Sequence, residues 1–429
     1  MLRLKLQFSK SLTLILFTLF VVACFAQHPV SKQATLVETI SSAEVLIEAT
    51  GIYNSSEKKS KDRQKDVERN GVARAVEDAK QTAIYFVLYG GTDPIMRSQA
   101  DKDKLEPKVG QFYDMSNVNR YVTYEDSKFI QKVLLDSGSG IKITKRFKVN
   151  KEFILRDLEN AGIISSRAEM SDLLGRPQLM VIPDVPKGSN PIDVLRNDPI
   201  AKHAATVVES HLTAKQYEVL VPQQMEQLNT LNDAQLMLGD RQEDIAYKLA
   251  LSIGSDVYIT YSGAYENSGY NTKRFSMVVR AFETTTGRLL GAETGYSQGR
   301  QGESLMSIEE AMNGAIDAVL GRIDAYWRED MTRGVQYKLL ISINPSYSED
   351  DAYEIQDVFM DAVNNISKKS KENIATKQTI DYLVWVNPER YSSSRALFRD
   401  LKKSFDSSAY GAKLKTITIN RKMIVLKVD

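Results

Sequence analysis

The chain opens with its longest apolar run. Leu12 to Ala26 is interrupted only by Thr13 and Thr18, and Arg3, Lys5 and Lys10 precede it without an acidic residue. A basic segment followed by an apolar stretch of about 15 residues has the pattern of a secretory signal peptide. A bilayer-spanning helix needs about 20 apolar residues, so residues 1–26 are expected to be a cleaved leader. No later stretch is long and apolar enough to span a membrane. The expected compartment is the periplasm or the outer-membrane surface.

Beyond the leader, the patterning falls into three modules. In the first, residues 33–166, Ala43 to Ala49 reads as a strand entering Gly51. Val72, Ala75, Val76, Ala79, Ala83, Phe86 and Val87 recur at steps of mainly three and four, the helical period, and Gly90-Gly91 stops that helix. Residues 92–119 carry Pro94, Pro107 and Gly110 and read as an irregular connection. Ile141, Ile143, Phe147 and Val149 then alternate with Lys142, Thr144, Arg146 and Lys148, a strand with a dry and a wet face. A short helix, Phe153 to Leu158, closes the module.

The second module spans residues 175–330. Leu179 to Pro183 is continuously apolar, as in a strand covered on both faces. Asp198-Pro199 opens a helix reaching Leu212, with aspartate as the cap and proline in the first turn. Strands are expected at Tyr217–Val221, Asp256–Tyr261, Phe275–Thr284 and Leu289–Tyr296, the last two joined through Thr285-Thr286-Gly287. Helices are expected near residues 224–231, 242–252 and 308–327. The third module, residues 334–429, reads as βαβαββ, with Ser348 and Asp351 framing its first helix start. Its strands are expected at 335–343, 380–386, 414–420 and 422–428, and its second helix at 394–405. The fold class is α+β with α/β character: three modules, each a small mixed sheet with packed helices.

Composition narrows the function. Cys24 is the single cysteine, so no intramolecular disulfide forms. Two fates of Cys24 stay open. Val21-Val22-Ala23-Cys24 has the form of a lipobox, which would lipidate Cys24 and anchor the chain. Cys24-Phe25-Ala26 also suits an ordinary cut before Gln27, which removes Cys24 with the leader. Losing the three basic leader residues leaves 53 basic against 55 acidic side chains, a net charge of −2, with no bias toward nucleic acid. Apolar content of 42% with 26% charged residues argues against general disorder.

Candidate chemistry is sparse, and no catalytic, cofactor or metal site is expected. His203 and His211 stand eight positions apart on one expected helix, too far for one metal, and His28 sits in the cleaved or disordered start. Asp136-Ser137-Gly138-Ser139-Gly140 lacks the Lys-Ser/Thr ending of a phosphate loop and reads as a turn. No G-x-S-x-G is present. Glu349-Asp350-Asp351 suits a helix N-terminus. Lys368-Lys369-Ser370-Lys371 reads as a helix end. Tyr258, Tyr261, Tyr265 and Tyr270 would line a groove or, more simply, pack within the sheet.

Three stretches of the first module, Glu48-Ala49-Thr50-Gly51, Asn70 to Ala79 and Ile143 to Gly162, resemble the N-terminal module of the flagellar assembly protein T and LPP-type lipoproteins. Met180 to Pro183, Gly254 to Ile259 and Thr286 to Leu289 resemble the α/β domain shared by the curli secretion lipoprotein, penicillin-binding-protein activator lipoproteins and the TolB N-terminal domain. The whole layout resembles uncharacterised Bacteroidetes envelope proteins. The resemblance implies fold and compartment, and transfers no residue's role. The expectation is a non-enzymatic envelope protein that meets an envelope protein partner, without nucleic acid or cofactor. Its membrane contact would be limited to a lipid anchor at Cys24. The alternative is a secretion-channel subunit, which needs amphipathic strands able to enter a bilayer.

Overall fold

A computed structural model describes residues 28–429 apart from 42, 92, 187–188, 223–245, 247–248, 251–252, 270 and 409–411. The leader, Cys24, Tyr270 and most of the two helices expected near residues 224–252 lie outside the described residues. Two compact units emerge, divided between Ile164 and Ser165.

The first unit holds five antiparallel strands: β1 (Ala34–Thr39), β2 (Glu44–Asn54), β3 (Val122–Glu125), β4 (Gln131–Leu135) and β5 (Gly140–Asn150). β5 pairs with β2 on one side, and with both β3 and β4 on the other. Helix α1 (Ser60–Asp66) leads through a π turn into α2 (Val72–Tyr89), which lies across the sheet. The stripe Ala75, Ala79 and Ala83 is buried there against Ile47, Ile143 and Phe147. Gly51 permits the close crossing: a Cβ there would meet the Ala75 carbonyl oxygen at 1.9 Å.

Asp78 ties the module's start to that helix. Its carboxylate accepts from the backbone amides of Val30 (2.6 Å), Ser31 (3.2 Å) and Ile52 (2.8 Å). Burial pushes its pKa up, although the three donors oppose that rise.

Residues 92–119 are more regular than expected. α3 (Gln99–Leu105), a 3₁₀ turn, α4 (Val109–Tyr113) and α5 (Met115–Tyr121) follow in succession. Pro107 falls in the 3₁₀ turn and breaks the period into pieces too short to read, while Leu105, Val109, Phe112 and Val118 are buried. α6 (Lys151–Asn160) ends the unit. The dry face of β5 is interrupted by a charge: Lys145, in phase with Ile143 and Phe147, is buried and pairs with Glu125, which Lys80 meets at 3.0 Å.

The second unit opens with α7 (Arg167–Leu174), between the bounds expected for the first two modules; Ser166 and Glu169 close a capping box at its start. Its first sheet has the order β10-β9-β8-β6-β7. The strands are β6 (Gln178–Pro183), β7 (Glu218–Leu220), β8 (Val257–Asn267), β9 (Lys273–Glu283) and β10 (Leu289–Tyr296). β6 runs parallel to β7 and β8, and the remaining pairs are antiparallel.

A short α8 (Pro191–Asn197) precedes α9 (Pro199–Ala214), which starts as expected: the Asp198 carboxylate accepts from the Ile200 and Ala201 amides. α9 and α10 (Leu305–Arg333) cover one face of the sheet. Met180 and Ile182 turn the other way, toward Ala246, Ala250 and Tyr258, so β6 is covered on both sides. Phe275, Met277, Val279 and Ala281 face the α10 side, so the hairpin's apolar face is already occupied within this unit.

The second sheet of this unit has the order β12-β13-β11-β15-β14. Its strands are β11 (Val335–Ile343), β12 (Lys369–Thr376), β13 (Thr379–Val386), β14 (Leu414–Ile419) and β15 (Met423–Val428). β11 and β15 are parallel. α11 (Glu349–Ile366) and α12 (Ser394–Ser408) pack on its apolar side through Phe359, Leu397 and Phe405. β12 was not expected, so the order is βαββαββ rather than βαβαββ. Lys369 to Lys371 begins that strand instead of ending a helix. Fully wet edge strands leave no period of two to read.

Candidate functional site

The residues singled out from the sequence are spent on structure. His203 lies 3.1 Å from Glu309 and His211 lies 2.7 Å from Asp317, so each joins α9 to α10 rather than facing the other. Lys215 also donates to Asp317 at 2.5 Å. The His211 hydrogen bond, opposed by burial and reinforced by Lys215, holds the Asp317 carboxyl well below the ordinary carboxylate range. His28, expected within a disordered start, instead lies 3.3 Å from Glu106 and against the Tyr113 ring.

The Asp136–Gly138 segment is a 3₁₀ turn with left-handed Asp136 and Ser137. Ser348 and Asp351 form the capping box of α11. Tyr258 stacks on Phe282 at 5.0 Å, Tyr261 donates to the Ala201 carbonyl at 2.6 Å, and Tyr265 donates to the Ser304 carbonyl at 2.9 Å. Those three tyrosines are packing residues and do not share a groove. Among the described residues no group of three or more His, Cys, Asp or Glu is arranged to hold a metal. No described helix is long and apolar enough to cross a membrane.

Two features carried no signal in the sequence. The first is a buried charge cluster where the two sheets of the second unit meet. Asp256 stands before β8, Glu283 ends β9, Asp330 lies in the last turn of α10, and Arg421-Lys422 forms the β14–β15 turn. Arg421 Nε donates to Asp256 at 2.9 Å, and Lys422 Nζ lies 3.5 Å from Asp330 and 3.8 Å from Asp256. Glu283 accepts from the amides of Thr285 and Thr286, both at 2.9 Å, from their hydroxyls, and from Gln336 Nε2 at 3.4 Å.

Three carboxylates thus face two cations. Burial penalises the Lys422 charge, but Asp330, Asp256 and Glu283 outweigh it and raise its pKa. Burial also pushes the Asp330 carboxyl up to about 6, against the pull of Lys422. The acid surplus lets one carboxyl retain a proton more readily. A cavity of about 420 Å³ adjoins the cluster, with Tyr326, Trp327, Tyr337 and Tyr391 among its walls.

The second feature is strand β4 with the segment leading into it, which follows β3 along the same edge of β5. Phe129, Ile130, Val133 and Leu134 are exposed by 37%, 48%, 43% and 63%. β4 pairs with β5 in an unbroken register from Gln131 to Leu135, and no other described strand pairs with it. The other edges differ. β1 carries an irregularity between Leu36 and Glu38, and β12 carries one between Glu372 and Ile374 together with Lys369, Lys371 and Glu372. Bulges and charges blunt an edge against further pairing, and β4 has only Lys132.

No family model and no curated protein matches the chain. Among solved structures, the chain is similar to the PelC dodecamer from Paraburkholderia phytofirmans at 13% identity and TM-score 0.22, over 34% of this chain and 87% of that one. It is similar to the lipoprotein GNA1162 from Neisseria meningitidis at 13% identity and TM-score 0.22, over 35% and 99%. It is similar to the LpoB C-terminal domain from Escherichia coli at 18% identity and TM-score 0.18, over 30% and 93%. Likeness at this level assigns no binding partner and no activity to this chain.

Proposed function

We propose that this chain is an exported, non-enzymatic envelope protein that assembles with, or regulates, another envelope component through protein contacts. In this reading the partner adds an extended segment to the outer edge of β4. The observation that carries the reading is the combination on that strand of free backbone groups, an even register and exposed Val133 and Leu134. An edge strand offers a row of unpaired N–H and C=O groups, and added main-chain hydrogen bonds supply affinity while side-chain contacts supply specificity. Val133 and Leu134 point to opposite faces of the sheet, so an added segment would meet an exposed apolar side chain on each face. The leader pattern of residues 1–26 supports the compartment.

The test is a photoreactive amino acid placed at Leu134, activated in the native envelope and followed by identification of the attached protein. One discrete adduct, abolished by Val133→Lys, supports the reading. Diffuse labelling that Val133→Lys leaves unchanged refutes it.

A further inference from the structure

The cavity beside the charge cluster is independent of the β4 edge, and nothing described so far uses it. Its volume of about 420 Å³ lies within the range of small-molecule sites. α7 and α10 bound it together with the sheet that carries Tyr337 and the first turn of α12, where Ser393 and Ser394 stand. We propose that this cavity binds an uncharged saccharide unit, a ring with an apolar face and several hydroxyls.

Three observations select that chemistry. First, the charged walls are closed upon themselves. Asp256 and Asp330 are matched by Arg421 and Lys422, so a charged ligand would displace a partner rather than satisfy one. The carboxylate of Glu283 behind them disfavours an anion further. Second, the aromatic rings of Tyr326, Trp327 and Tyr337 supply apolar surface of the kind on which the C–H face of a sugar packs.

Third, the Tyr326 hydroxyl is buried without a hydrogen-bond partner among the described residues. Burial and the nearby Asp330 and Glu283 carboxylates raise its pKa well above the ordinary value, so it remains a donor. A buried unmet hydroxyl is costly. A ligand oxygen accepting from it removes that cost on binding, which a purely apolar ligand cannot do.

The test titrates the full-length mature chain with maltose, cellobiose and N,N′-diacetylchitobiose, read by calorimetry and ligand-observed NMR, with indole and acetate as controls. Saturable binding of at least one disaccharide and none of either control is expected. Tyr326→Phe keeps the ring and removes the unmet hydroxyl. It should weaken that binding about tenfold while the ligand-free thermal midpoint holds or rises. Absence of binding by all three disaccharides, equal binding by Tyr326→Phe, or preferential binding of indole or acetate would each overturn the proposal.

Discussion

The guanidinium Nε of Arg421 donates to Asp256 Oδ2 at 2.9 Å, joining residues 165 positions apart. The same carboxylate accepts from the Gln178 amide at 2.8 Å, and Arg421 Nη2 donates to the Arg176 carbonyl at 2.8 Å. One acid therefore anchors the start of β6, the start of β8 and the β14–β15 turn. Asp256→Ala removes the acceptor of Arg421 Nε and of the Gln178 amide together, and leaves Lys422 with Asp330 as its nearest carboxylate. Removing one member of a buried ion pair costs about 3 kcal/mol or more. Arg421, a third exposed, should cost about 1 kcal/mol when changed to Met. Urea denaturation of the second unit would measure both, and equal effects would contradict the assignment of Asp256 as the anchor.

The stability of the second unit should depend on pH in two opposite ways. Asp330 has a folded pKa of about 6 against an ordinary 3.8. Its contribution is fully present below the unfolded value and is lost as pH rises through about 6. A shift of that size corresponds to about 3 kcal/mol. Asp330→Asn should flatten the decline in urea midpoint between about pH 4 and pH 7.

Asp317 behaves in the reverse sense, because His211 and Lys215 depress its pKa. Its contribution is present above the unfolded value and disappears as pH falls through the lower folded value. Asp317→Asn should flatten the acid limb of the urea midpoint against pH.

Two glycines of the second unit should respond oppositely to alanine. A Cβ at Gly295 would sit 1.9 Å from the Ala311 carbonyl oxygen, where β10 crosses α10. Overpacking of this kind costs about 1–3 kcal/mol. Gly321, inside α10, is exposed, and a Cβ there would meet nothing within 4 Å. Alanine at that position should stabilise by about 0.5–1 kcal/mol, the helix-interior difference between the two residues. Thermal midpoints that fall for Gly295→Ala and rise for Gly321→Ala are expected.

Packing on a neighbour is what makes an element legible in a sequence. The stripe Ala75, Ala79, Ala83 has its helical spacing because it packs on a sheet, and the continuous run of β6 reflects burial on both faces. Asp198 and Ser348 announce their helices because each cap uses only neighbouring amides. The edges β4 and β12 were illegible because nearly all their side chains are exposed, so no alternation survives. The cluster of Asp256, Glu283, Asp330, Arg421 and Lys422 leaves no spacing to detect, since the fold alone assembles it. The same holds for Tyr326, whose helical stripe reads as ordinary core.

Amide hydrogen exchange distinguishes strand addition at the β4 edge from binding elsewhere. Exchange is compared for the purified chain alone and for the chain bound to the partner recovered by crosslinking at Leu134. Strand addition predicts slowed exchange at the amides of Gln131–Leu135 that face away from β5, with β12 unchanged. Unaltered exchange across Gln131–Leu135 in the bound state, or slowing confined to another surface, would rule out strand addition at β4.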